Sequence, residues 1–203
     1  MPNNMLEEYT ELETKYSANL EDLIKFKFLI KENCQINRTL IVEGPDEYFV
    51  KPNTDDFKRF RHAEYPADCG KEITTKKKRE GSIYNINRDE KNLDVSSNDD
   101  KLIRKVIEDD GYEYNFTVWK TCHIYEMDDA TLVFYTVIDI TPGASFSPKS
   151  FIEIEINESI VHTMTTEQAK EIIKKYETLL EPLGINANKR LQKSLFERYR
   201  RKA

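Results

Sequence analysis

The chain has 203 residues, enough to bury a substantial core, and carries 31 Lys and Arg against 37 Asp and Glu, a net charge of −6. Hydrophobic residues make up 38% and aromatics 11%, which excludes wholesale disorder, and no apolar run approaches the length of a membrane-spanning helix. The charge is uneven, basic at 58–61, 71–79 and the C-terminal Arg198, Arg200, Arg201 and Lys202, acidic at the N-terminus and over 99–110. An acidic chain with local basic clusters points to a small anionic ligand; neither DNA nor a membrane is expected as a partner. Cys34, Cys69 and Cys122 fit neither a disulfide framework nor a zinc signature. With no signal-like N-terminus, a reducing, cytoplasmic location is expected.

Residues 9–16 read as the first strand. Side chains two apart in a strand share a face, so Glu11-Leu12-Glu13-Thr14-Lys15 sets two carboxylates and an ammonium on one side. Carboxylates about 6–7 Å apart suit a hard divalent cation, and the lysine beside them can meet a phosphate. Asn19 is placed to cap a helix through Leu20, Leu23, Ile24, Phe28 and Ile30 to about residue 32. Residues 38–42 and 47–50 are extended runs broken at Gly44-Pro45, and 57–65, 72–79 and 82–95 are further strands. Ser96-Ser97-Asn98 opens a helix with Leu102, Ile103, Val106 and Ile107 on one stripe, ending near Gly111. Residues 112–127 form a long strand, Asp128-Asp129-Ala130 a tight turn, and 131–140 its hairpin partner. After a loop over 141–149, the strand 150–157 carries a second carboxylate pair, Glu153 and Glu155. Thr165 or Thr166 caps a helix striped with Ala169, Ile172, Ile173, Tyr176, Leu179 and Leu180, and 188–200 is a closing helix.

About eight extended segments, mostly antiparallel neighbours, with helices after the first and fifth and at the end, make an α+β pattern: a closed barrel or a strongly curved sheet. No repeat or linker divides the chain, so one domain over 1–203 is expected. Arg59 and Arg61 share one strand face, Lys76 and Lys78 another, Arg88 and Glu90 a third, and Lys120 stands alone among apolar neighbours. If these faces turn inward, the interior is a charged, water-filled tunnel suited to metal and polyphosphate, because no ordinary core tolerates such charge. If they turn outward, the apolar residues between them form the core. Alternation alone fits both arrangements.

In order along the chain, E-x-E-x-K at Glu11 to Lys15, Phe57-Lys-Arg-Phe-Arg61, Ile73-Thr-Thr-Lys76, Arg88-Asp-Glu90, the lysine strand at Lys120, Phe151-Ile-Glu-Ile-Glu155 and the Leu183-Gly-Ile185 tail resemble the CYTH, or triphosphate tunnel metalloenzyme, superfamily. The resemblance spans nearly the whole chain. It implies an eight-stranded antiparallel β-barrel, a tunnel, with peripheral and C-terminal helices. It assigns Glu11, Glu13, Glu153 and Glu155 to Mg²⁺ or Mn²⁺, and Lys15, Arg59, Arg61, Lys76, Lys78, Arg88 and Lys120 to phosphates, with Glu90 orienting a cation. Glu11, Glu13, Lys15, Arg61 and Glu155 are the expected catalytic set. The implied activity is metal-dependent hydrolysis of a triphosphate, carried by a nucleoside, an RNA 5′ end or nothing else. The alternatives are a class IV-type adenylyl cyclase releasing cyclic AMP and pyrophosphate, or a non-catalytic nucleotide or polyphosphate binder. Two departures stand out: Cys122 where the family carries an arginine, and Tyr135 where it carries an inward aspartate, Asp139 following four residues later.

Overall fold

The computed structural model describes residues 6–66, 70–78, 88–161 and 163–201; for 6–11, 77, 78, 88 and 89 it describes the backbone alone. The first extended run is split at Leu12 into β1 (Leu6–Glu11) and β2 (Glu13–Ala18). Then come α1 (Asp22–Asn33), β3 (Arg38–Val50), β4 (Phe57–His62), β5 (Lys71–Lys78), β6 (Arg88–Asp94), α2 (Asp100–Asp109), β7 (Glu113–Glu126), β8 (Ala130–Asp139), β9 (Lys149–Ile156), α3 (Glu158–Val161), α4 (Thr166–Leu180) and α5 (Leu195–Tyr199). Among the described residues the strands form one antiparallel sheet in the order β1-β6-β5-β4-β3-β7-β8-β9-β2. Its two edges, β1 and β2, are consecutive in the chain. Glu11 pairs with Arg88 on one edge and Glu13 with Glu155 on the other, so the sheet comes full circle through Leu12. Counted as one bent strand, β1 and β2 make an eight-stranded tunnel-like barrel, and with its helices the fold is α+β.

The helices decide which face is core. In α4, capped by Thr165 in a reciprocal box with Gln168, Ala169, Ile173, Tyr176 and Leu180 are buried. They pack with Phe26 and Ile30 of α1 against Leu132, Phe134, Ile152 and Ile154, the outward residues of β8 and β9. On the other side Ile103 and Ile107 of α2 pack on Phe49, Phe60 and Ile73. Burying one such side chain contributes ~1.5–3 kcal/mol. With the apolar faces taken by helices outside, the alternate charged residues turn inward.

Several expectations are corrected. Residues 38–50 are one strand: Gly44 lets β3 pass the chain after β4 closely, since a Cβ there would lie 2.8 Å from Ala63 Cα. Pro45, with no N–H to donate, falls between the Glu43–Tyr65 bridge and the Asp46–Arg61 pair, where the ladder on that side is interrupted. The predicted closing helix is only α5, because the Leu191 N–H donates to the Lys15 carbonyl (2.7 Å) and Ser194 caps a new start with Glu197. In α1 the buried residues are Phe26 and Ile30, while Leu20, Ile24 and Phe28 are exposed; Asn19 does not cap, its N–H donating instead to Asp22. Likewise Leu102 and Val106 of α2 are exposed, so its buried stripe is narrower than predicted.

Candidate functional site

The barrel encloses a cavity of about 250 Å³ lined by Glu13, Lys15, Arg59, Arg61, Lys76, Glu90, Lys120, Glu153 and Glu155. Nine of the twelve charged positions singled out in the sequence thus converge on one space. The other three, Glu11, Lys78 and Arg88, have side chains outside the described set, although the backbone pairs Arg88 with both Glu11 and Lys78. One end of the cavity is closed by α5 and the residue before it: Ser194, Leu195 and Phe196 line it, and Phe196 stacks on Phe57 with ring centroids 4.1 Å apart.

The cations are held in place by acceptors that the strand register sets beside them. Lys15 meets Glu153 at 2.5 Å and Glu13 at 3.5 Å. Arg59 donates to Thr74 (2.7 Å) and Glu72 (3.2 Å), while its buried Nε has no hydrogen-bond partner among the described residues. Arg61 makes a bidentate contact to Asp46, at 2.8 and 3.0 Å. Lys76 meets Glu90 at 2.5 Å. Lys120 lies 3.9 Å from Asp46 and 4.5 Å above the Tyr135 ring. Tyr135 in turn donates its hydroxyl to Glu153 at 2.8 Å. The tyrosine at the departing position therefore links two phosphate-side lysines, Lys120 through its ring and Lys15 through Glu153.

Glu13 and Glu155 are different. They are cross-strand partners on β2 and β9, and no hydrogen bond or ion pair joins the Glu155 carboxylate to a described residue. Burial, then the neighbouring charge of Glu13, push the Glu155 carboxyl up to about 8, with Glu153 and Glu90 adding to the effect. Glu153 moves the other way: burial opposes its charge, but Lys15, Lys120 and the Tyr135 hydroxyl hold it low. Asp46 is likewise held well below the ordinary carboxylate range, Arg61, Arg59 and Lys120 outweighing burial. Burial keeps the Tyr135 phenol neutral, a donor to Glu153. A pair of facing carboxylates, of which only Glu13 has a cation nearby, Lys15 at 3.5 Å, has the hard oxygen donors that a divalent metal takes. Among the described residues no group of three acidic, histidine or cysteine side chains is assembled at ligating geometry; Glu11 lies outside that set.

The fold has counterparts among solved structures. Protein PH1012 from Pyrococcus horikoshii OT3 is 22% identical, with a TM-score of 0.68 over 94% of this chain and 99% of that one. A candidate adenylate cyclase from Bacillus halodurans is 15% identical, with a TM-score of 0.61 over 95% and 98%. A chain of the Schizosaccharomyces pombe Mediator head module is 10% identical, with a TM-score of 0.61 over 85% and 95%. The chain has the CYTH-type tunnel fold. No protein-family model and no curated protein matches it. The tunnel fold occurs in proteins with different descriptions, so chemistry has to be argued from the lining residues. Among the described residues no helix is long and apolar enough to cross a membrane.

Sequence reasoning missed Asp46 and Glu72, the acceptors for Arg61 and Arg59, and the inner end made by α5. Asp46 lies 15 residues from Arg61 and is 1% exposed. Its one signal was the alternation Gly44, Asp46, Tyr48 past an apparent break. Asp139 faces away from the cavity; it accepts from Thr141 and lies 3.5 Å from Arg201. Cys122 lines the tunnel, its thiol pushed up by burial.

Proposed function

We propose that the chain is a divalent-metal-dependent triphosphatase, cleaving the terminal phosphoanhydride of a triphosphate held in the tunnel, and that residues 1–203 form a single tunnel domain. The observation that carries this is the division of the wall. Glu13 and Glu155 face one another across β2 and β9, Glu155 without a described hydrogen-bond or ion-pair partner and Glu13 with only the 3.5 Å approach of Lys15, while Lys15, Arg59, Arg61, Lys76 and Lys120 are each set against a carboxylate or a ring. Fixed donors stabilise developing charge without reorganising during the reaction. Glu13 and Glu155, with Glu11, are the residues to hold Mg²⁺ or Mn²⁺. A divalent cation bound there supplies Lewis-acid polarisation of a phosphoryl oxygen. Arg59, Arg61 and Lys76 grip the phosphate oxygens, and Lys15 and Lys120 hold the chain of phosphates in line. The contacts of Glu153 favour an orienting role for it over that of a metal ligand. Lys78 and Arg88 are assigned to the phosphates on the resemblance alone. The substrate class is a nucleoside triphosphate, inorganic triphosphate or an RNA 5′-triphosphate end, met in the cytoplasm.

Tyr135 favours a second arrangement, a sequestering module, because a neutral phenol stands where the resemblance places a carboxylate. Incubation with ATP, or with inorganic triphosphate, and Mg²⁺ or Mn²⁺ followed by product analysis separates these. The expected products are ADP and orthophosphate from ATP, and pyrophosphate and orthophosphate from inorganic triphosphate. Cyclic AMP with pyrophosphate would make the protein a cyclase, and tight binding without product would make it a sequestering module.

A further inference from the structure

The main cavity adjoins a second chamber of about 210 Å³. Arg61, Glu72, Lys120, Cys122 and Ile124 line both and form the partition between them. Beyond the partition the wall is Val42, Gly44, Ala63, Gly70 and the carboxylate of Asp46. The two spaces differ in charge. Lys15, Arg59 and Lys76 line the first alone. In the second, Arg61 and Lys120 are offset by Asp46, which both approach, and by Glu72. A polyphosphate is drawn to the first chamber; in the second it would meet two carboxylates with no excess positive charge. The second chamber, otherwise small and apolar, suits an uncharged group. Among the described residues no aromatic ring lines it, so it selects by size and not by stacking.

We infer that this second chamber receives the organic group of the substrate, so that the substrate is a triphosphate ester and not inorganic triphosphate. The ester end of the phosphate chain then lies at Arg61 and Lys120 and its terminal phosphate toward Glu13 and Glu155. The inference rests on the polyphosphate function proposed above.

Val42 and Ala63 line the second chamber only and carry no charge. In the full-length protein with Mg²⁺, affinities for ATP and for inorganic triphosphate are measured by calorimetry and by ligand-induced thermal shift. Val42→Phe is expected to weaken ATP by about tenfold or more, the usual scale for filling a pocket of this size, and to leave inorganic triphosphate within about twofold. Ala63→Leu, from the other side of the chamber, provides the same test should Val42→Phe lower the unliganded melting temperature. Both ligands weakened equally, or neither weakened, would overturn the chamber assignment while leaving the tunnel function standing. Failure of both ligands to bind the unmodified protein would overturn the tunnel function and the inference with it.

Discussion

Replacing Glu13 by alanine is expected to slow triphosphate turnover at least a hundredfold, about 3 kcal/mol of transition-state stabilisation, while the melting temperature of the metal-free protein holds or rises. The two effects have one cause. Glu13 is the strand partner of Glu155 and the leading charge that raises its carboxyl, so its removal relieves repulsion in the folded barrel as it takes a donor from the metal site. Lys15 keeps its 2.5 Å contact to Glu153, so the cationic side stays assembled. Arg61→Ala makes an instructive contrast. It leaves Asp46, 1% exposed, with the charge of Arg59 and with Lys120 at 3.9 Å, but without its bidentate partner. Breaking a buried pair from one side costs about 3–5 kcal/mol, so that variant loses stability together with activity. Steady-state phosphate release and thermal unfolding of both variants check the pair of predictions. Normal turnover in Glu13→Ala removes Glu13 from the mechanism.

The second large effect is a stability gain that depends on pH. The Glu155 carboxyl titrates near 4.5 in the unfolded chain and at about 8 in the fold. A raised folded-state value means that the contribution of this group is fully present below the unfolded value and lost as pH climbs through the folded one. Metal-free protein should therefore lose stability between about pH 4.5 and 8 on account of Glu155. Glu155→Gln cannot ionise and should escape that loss. The difference is on the order of a few kcal/mol at pH 8.5, and roughly 5–10 °C in melting temperature for a domain of this size, shrinking toward zero at pH 4.5. Melting curves of both proteins in chelator across that range test it. A gain that is flat with pH would show that Glu155 is not the titrating group. Loss of catalysis with gain of stability in one substitution is the behaviour of a site strained for function.

Much of the barrel was legible because its strands alternate so regularly. The resemblance assigns the E-x-E at Glu11 and Glu13 and the pair at Glu153 and Glu155 to one metal, and the backbone sets Glu13 opposite Glu155. Alternation could not say which face was inside. The information was nevertheless present in α4: the apolar stripe of Ala169, Ile173, Tyr176 and Leu180 needs an apolar sheet face to cover, and Ile152, Ile154 and Ile156 provide one only if Glu153 and Glu155 turn away from it. What stayed hidden were the acceptors that hold the cations. Asp46 and Glu72 act through cross-strand register, and register is set by the sheet as a whole and not by any local run of residues. Gly44-Pro45 misled for a related reason. The pair reads as a turn unless the close passage of Ala63 and the interrupted ladder beside Pro45 are known. The closing helix was overextended because residues 188–194 are helix-compatible in composition, yet Leu191 finds a better backbone partner in Lys15 and Arg190 clamps Glu177 at 2.6 and 2.7 Å.

A divided tunnel, carboxylates for metal facing cations for phosphate, is tested most directly by titrating metal-free protein with Mn²⁺ and following the metal by electron paramagnetic resonance, with and without inorganic triphosphate. Wild-type protein should bind Mn²⁺, added triphosphate should tighten that binding and alter the spectrum of the bound ion, and the Glu13→Gln, Glu155→Gln double variant should lose both effects while retaining its fold. Mn²⁺ binding that survives the double substitution unchanged, or wild-type protein that binds no Mn²⁺ even with triphosphate present, would contradict the assignment of the acidic pair as the metal site.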